Sequence, residues 1–167
     1  VSLTFIACND DETVTYDSAD GLPLTAGTAD FTKYVALGDS FAAGFSDGAL
    51  FIEGQKNAYP NILAQQFALV GGGEFTTPLM ADNFGGLLLG GIPIQGVRLY
   101  FNGVTPLSVT GAPTTEVTNH LSGFFNNMGI PGAKSFHLIA PGYGNTAGVA
   151  GGTASPYFSR FSSNTTT

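Results

Sequence analysis

Residues 33–40 read KYVALGDS, and the rest of the chain is best read outward from them. Residues 34–37 are apolar and β-prone, too short a run for a helix, and they stop at Gly38, Asp39 and Ser40, which favour a turn. A short continuous apolar run closed by a turn signal reads as a strand buried on both faces. After a glycine-containing loop, residues 57–70 (NAYPNILAQQFALV) carry Pro60 where a first helical turn accepts it. Ile62, Leu63, Gln66, Phe67 and Val70 follow at helical spacing, and the glycines at 71–73 stop the helix. Strand, loop and helix in that order make the first half of a βαβ unit.

The same order recurs near residue 130. Residues 123–129 (GFFNNMG) are apolar and lead through Ile130, Pro131 and Gly132 into a short helical stretch ending near Ile139. Two strand–loop–helix segments with glycines at the strand ends predict an α/β domain with a mostly parallel sheet, whose sites lie at the carboxyl ends of the strands. Between them, residues 97–101 and 105–110 alternate well enough for a hairpin across Asn102 and Gly103. Residues 74–96, with GGLLLGG at 85–91, show no period and read as a packed irregular insertion.

Composition narrows the function. The 167 residues are 43% hydrophobic, enough for one domain with a core, and the 24 Gly and 9 Pro argue against a helical bundle. Only 10% are charged, against roughly 25% in an average domain, which suits strands covered on both faces. Five Lys and Arg against 12 Asp and Glu give a net charge of −7, which opposes an electrostatic hold on nucleic acid. A single cysteine makes no internal disulfide, and with two separated histidines it offers no zinc site of ordinary spacing, so neither a metal nor a cofactor is expected.

The chain begins with Val1, and residues 1–8 (VSLTFIAC) are apolar up to Cys8, after which Asn9, Asp10, Asp11 and Glu12 turn it abruptly polar. Residues 1–7 read as the remnant of a lipoprotein signal peptide with Cys8 as the lipid anchor; the other reading is a free, partly buried cysteine in a strand. Residues 8–30 are acidic and small and read as a tether, with the acidic run more simply a solvated segment than a calcium loop. Residues 31–167 then hold the domain. The aromatic-rich residues 155–161 lie so close to Thr167 that the domain is expected to be cut short at its C-terminus.

Ser40 follows a buried strand directly, a good place for a nucleophile, although Ala42 stands where a G-x-S-x-G elbow needs glycine. Alone, Asp39 and Ser40 read as a turn cap. Residues 34–44 (YVALGDSFAAG), however, resemble the first block of the GDSL/SGNH family of serine esterases and lipases, with Phe41 in place of the usual leucine. Residues 127–132 (NMGIPG) resemble its second block, and acidic residues just after Cys8 resemble the export signals of Bacteroidetes surface lipoproteins. The resemblance covers roughly residues 32–161.

The resemblance implies a flavodoxin-like three-layer α/β/α sandwich, the SGNH hydrolase fold, truncated at the C-terminus. It implies ester hydrolysis with Ser40 as nucleophile, the backbone N–H groups of Ser40 and Gly132 as oxyanion hole, and Asp39 and Asn127 in support. The substrate would be a small-molecule, lipid or glycan ester, and the location the bacterial outer membrane, lipid-anchored through Cys8 and facing the cell surface. The family's G-x-N-D and D-x-x-H blocks have no match here, and His120 and His137 read as structural. This chain alone is therefore expected to be nearly inactive and poorly soluble, with its base supplied by residues beyond Thr167. The alternative is a non-catalytic surface lipoprotein that binds a glycan or lipid at the same crevice. A phosphate-binding loop at residues 129–135 is disfavoured, since Ala133 separates Gly132 from Lys134.

Overall fold

The computed structural model describes Gly21 and residues 24–162. Cys8, most of the acidic tether and the last five residues lie outside them. The described chain mixes helices with small sheets in an α/β arrangement: β1 (Ala36–Gly38), α1 (Ser40–Ala43), α2 (Ile52–Lys56), α3 (Tyr59–Ala68), β2 (Leu87–Leu89), β3 (Ile92–Gln95), β4 (Leu99–Phe101), β5 (Pro106–Ser108) and β6 (Asn127–Gly129). Short 3₁₀ turns follow at Ser135–Ile139, Thr146–Gly148 and Phe158–Arg160.

The strand read from residues 34–37 is β1, displaced by a residue or two toward Ser40, and it pairs in parallel with β6 so that Ala36, Leu37 and Gly38 face Asn127, Met128 and Gly129; it is not buried on both faces as read, since only Ala36 is buried and Leu37 is exposed. The parallel sheet read from the sequence goes no further than this pair among the described residues. The other pairs, β2 with β3 and β4 with β5, are antiparallel two-stranded ribbons. Asn102 makes the second ribbon's turn as expected, its side-chain oxygen accepting from the N–H groups of Val104 and Thr105.

The first ribbon lies inside the segment expected to be irregular. Gly90 and Gly91, both at positive φ, form its turn, and the two oxygens of Glu116 accept from their N–H groups at 3.1 and 2.9 Å. A run of three leucines has no alternation to reveal a strand, and the residue that holds the turn is 25 positions away.

Helix α3 starts with Pro60 in its first turn, as read, and ends where Gly72 N–H reaches back to the Phe67 carbonyl. Its buried face differs from the expected stripe. Phe67 stacks on Phe31 at 4.4 Å and meets Tyr34 edge-on, while Ile62 and Leu63 remain exposed. Aromatic rings ahead of β1 hold the middle of the helix through Phe67, and its first turn is held by buried Pro60 and by Tyr59 stacked on Phe41.

The core packs against α1 and β6, with Met128 of β6 against it. Ala43, Leu50, Met80, Leu87, Val117, Ile130, Tyr157 and Phe161 are buried together in it. Its polar ties are side chains satisfying loop backbone: Gln55 donates to the Pro78 carbonyl and accepts from Met80 N–H, and Thr115 accepts from Ala81 N–H. Such bonds give the backbone of Pro78, Met80 and Ala81 partners that no helix or sheet supplies there. No helix among the described residues is long and apolar enough to cross a membrane.

Candidate active site

Asp39, Ser40 and Gly132 come together beyond the carboxyl ends of β1 and β6, while Asn127 stands at the start of β6, buried beneath α1. The parallel register sets Gly38 opposite Gly129, and Ile130 N–H donates to the Gly38 carbonyl at 2.9 Å, so both strands finish together. The chain then turns into α1 at Asp39, whose carboxylate accepts from Phe41 N–H at 3.1 Å. Asp39 is thus a helix cap, the role read for it in support of the turn. Ser40 is the first residue of α1, where a backbone N–H has no intrahelical partner.

Small residues bring α1 against β6. A Cβ on Gly129 would lie 2.3 Å from Ala43 N, and one on Gly38 would lie 2.6 Å from Ala42 Cβ. Asn127 fastens the contact from inside. Almost wholly buried, it donates from Nδ2 to the Ala42 carbonyl at 3.0 Å and accepts at Oδ1 from Gly129 N–H at 2.9 Å. Asn126 adds a second tie, donating to the Tyr34 carbonyl.

The outcome is one cross-chain contact: Gly132 N–H donates to Ser40 Oγ at 3.3 Å. Gly132 has φ +78°, a left-handed conformation that glycine adopts at no steric cost, and this turns its N–H toward the serine. A nucleophile-type hydroxyl and two backbone N–H groups, of Ser40 and Gly132, therefore share one small region.

A cleft of about 390 Å³ opens beside it, lined by Leu37, Gly38, Asp39, Ala133, Lys134, Ser135 and Leu138. Leu37, Gly38, Ala133 and Leu138 also wall an inner recess of about 100 Å³ that reaches Met128, Ile130, His137, Tyr143 and Phe158. The surrounding surface is apolar: Leu37 is 65% exposed and Leu138 70%, with Phe41 and Ile139 exposed as well. Sequence reading missed these wall residues; the stretch 129–138 contains several of them, but nothing in it announces a cavity.

Neither histidine contacts Ser40. His137 Nδ1 accepts from Lys134 N–H at 3.1 Å, which in the neutral ring leaves the proton on Nε2, and the ring stacks on Tyr143 at 4.1 Å. His120 Nε2 lies 2.8 Å from the Ser162 carbonyl, which it can only meet as a donor. Both are engaged structurally, and among the described residues the one hydrogen-bond partner of Ser40 Oγ is Gly132 N–H.

No protein-family model matches the chain, and neither a curated protein nor a solved structure is found to match it.

Proposed function

We propose that the chain is the N-terminal part of a GDSL/SGNH serine hydrolase that cleaves an ester bond, with Ser40 as nucleophile. The observation that carries this reading is the contact of Gly132 N–H with Ser40 Oγ at the carboxyl ends of two parallel strands. On this reading the parallel pair belongs to a flavodoxin-like three-layer sandwich completed by further chain, and Cys8 anchors the domain at the outer surface of a bacterial outer membrane.

The chemistry would run through an acyl-enzyme. Ser40 Oγ bonds to the carbonyl carbon while its proton passes to a base, and the carbonyl oxygen takes up negative charge. The N–H groups of Ser40 and Gly132 receive that charge, and one such donor is worth about 3 kcal/mol of transition-state stabilisation. The base then returns the proton to the departing alcohol as the ester C–O bond breaks, and water repeats the cycle on the acyl group. Serine at its ordinary pKa needs that base, and with both histidines engaged elsewhere the reading draws it from residues beyond Thr167.

The test is carried out on the protein expressed from its complete gene. Ser40-dependent hydrolysis of acyl esters, and covalent labelling of Ser40 by a serine-directed phosphonate, are expected. Absence of both would overturn the reading. It would favour the second one, a non-catalytic lipoprotein that binds a glycan or lipid in the cleft, to which the absence of a histidine at Ser40 points.

A further inference from the structure

We propose that the β4–β5 hairpin is an interfacial anchor that seats the domain on the headgroup layer of an uncharged lipid surface. The proposal goes beyond the hydrolase reading and stands whether or not Ser40 is a nucleophile. The hairpin register pairs Leu99 with Ser108, Tyr100 with Leu107 and Phe101 with Pro106. Neighbouring residues of a strand point to opposite faces, so Tyr100 and Leu107 make one face apolar, and Leu99, Phe101 and Pro106 the other. Both faces are open: Leu99, Tyr100 and Leu107 are exposed, Phe101 is 67% exposed, and Val104 at the tip 86%. A ribbon in water ordinarily turns one face to a core and a polar one to solvent.

Charge says what meets this hairpin. No residue from 99 to 115 is charged, and Asp47 and Arg98 stand at the base, where the Asp47 carbonyl accepts from Leu99 N–H and the Arg98 guanidinium lies over the Phe51 ring. The tip backbone is also prepared to leave water. Asn102 N–H donates to the Thr105 carbonyl, the Asn102 side-chain oxygen accepts from Val104 and Thr105 N–H, and Pro106 has no N–H. Unpaired, those donors would be costly in an apolar layer. A protein partner would cover one face of the ribbon and leave the other in water, whereas a lipid layer closes round the tip on every side. With a net charge of −7 on the chain, an uncharged lipid surface fits and an anionic one repels. Strands of three residues span about 10 Å, comparable to the roughly 5–10 Å to which apolar faces sink into the headgroup boundary. The other ribbon gives the contrast: Ile92 and Ile94 are exposed too, but the Glu116 carboxylate closes its turn, and that charge keeps it in water.

The experiment measures co-sedimentation with phosphatidylcholine vesicles, using the protein from its complete gene with Cys8→Ser so that no acyl chain at residue 8 contributes. The parent is expected to bind, to the same extent in low and high salt, and more weakly when anionic phosphatidylglycerol is added to the vesicles. Phe101→Ser with Val104→Ser is expected to lower the partition coefficient by about tenfold or more, and Ile92→Ser to leave it within about twofold. Both hairpin positions are exposed, so thermal unfolding of the double variant should match the parent, and Val104→Asp repeats the test with one change. Ser40→Ala is expected to bind as the parent does, which separates this result from the fate of the hydrolase reading. A parent that does not bind, or binding that the hairpin variants retain, would overturn the anchor. So would binding that rises with anionic lipid and falls with salt. Self-association through Phe101 and Val104 without vesicle binding would also overturn it, by making a second copy of the chain the occupant.

Discussion

Gly132 N–H donates to Ser40 Oγ across 3.3 Å although 92 positions separate the two residues. The contact depends on a chain of fits: β1 and β6 in parallel register, glycines at 38 and 129 that let α1 close on β6, and a left-handed turn at Gly132. Each link can be broken separately, with different consequences.

The turn comes first. A Cβ on Gly132 would meet nothing within 4 Å, so Gly132→Ala introduces no clash, only the strain of φ +78°. A left-handed residue with a side chain costs about 1–2 kcal/mol. Chemical denaturation should show that loss with an unchanged m-value. Ser40→Ala, which removes a single long hydrogen bond, should change stability by less than about 0.5 kcal/mol. A Ser40→Ala variant that unfolded would show the hydroxyl to be structural.

Asn127 tests the fastening from inside. Asn127→Ala leaves the Ala42 carbonyl and Gly129 N–H buried without those partners, and each such loss costs about 1–3 kcal/mol. The expected penalty is about 2–4 kcal/mol in urea unfolding. A loss under 1 kcal/mol would mean that α1 is held to β6 by packing alone.

The sequence made these parts legible unequally, for physical reasons. β1, α3, the Asn102 turn and the strand at Asn127 all carry local signals: an apolar run, a proline in a first turn, a turn pair, a glycine at a strand end. The β2–β3 ribbon has none, because Glu116 holds its turn from 25 residues away. α2 was unread because its anchor, Gln55, is a polar residue that becomes buried only when the Pro78 and Met80 backbone arrives. Helical spacing found α3 but misjudged its face, since Tyr59 and Phe67 take the aromatic contacts while Ile62 and Leu63 stay open. At the candidate site, Ser40 and Asp39 follow a strand end that local signals mark, Asn127 and Gly132 enter only through the family resemblance, and the recess needs Tyr143 and Phe158, which no local pattern joins to Gly38.

Two carboxylates should make the fold sensitive to acid. Glu116 is held below its ordinary pKa by Gly91 N–H; loss of water pushes the other way, and hydrogen bonds from Thr118 and Gly90 outweigh it. At Asp82 burial pushes upward, but hydrogen bonds from Thr114, Gly85 and Phe84 outweigh it and leave the pKa lowered. A carboxylate whose folded pKa is depressed stabilises the fold above its unfolded value, about 4, and that stabilisation is lost as pH falls through the folded value. The melting temperature should therefore drop as pH goes below about 4, and Asp82→Asn and Glu116→Gln should each be less stable than the parent at neutral pH and lose less on acidification. Parallel pH profiles for parent and variants would contradict the assignment.

The last relationship lies in the core, where Arg160 is buried with no carboxylate partner among the described residues. It donates to the Leu79 carbonyl and to Met80 Sδ, its Nε has no partner, and burial lowers its pKa from 12.5 to about 10. Tyr157 stands in the same interior with its hydroxyl on Gln95 Oε1, and burial raises its pKa from 10.0 to about 12, against the pull of Gln95 and Arg160. The two act in opposite directions at high pH. Tyr157, with a raised folded pKa, gives stability that is whole below pH 10 and lost as pH rises toward 12; Arg160, with a lowered one, weighs against the fold below pH 10 and is relieved above it. Tyr157→Phe should accordingly gain on the parent by up to about 3 kcal/mol between pH 9 and 12, at about 1.4 kcal/mol per pKa step. Arg160→Met should lose ground over the same range, after lying within about 1 kcal/mol of the parent at neutral pH, where removal of a buried charge offsets the unpaired Leu79 carbonyl. Urea unfolding of parent and variants at pH 7, 9 and 11 checks both, and a Tyr157→Phe difference that does not change with pH would show that the phenol titrates as it would in water.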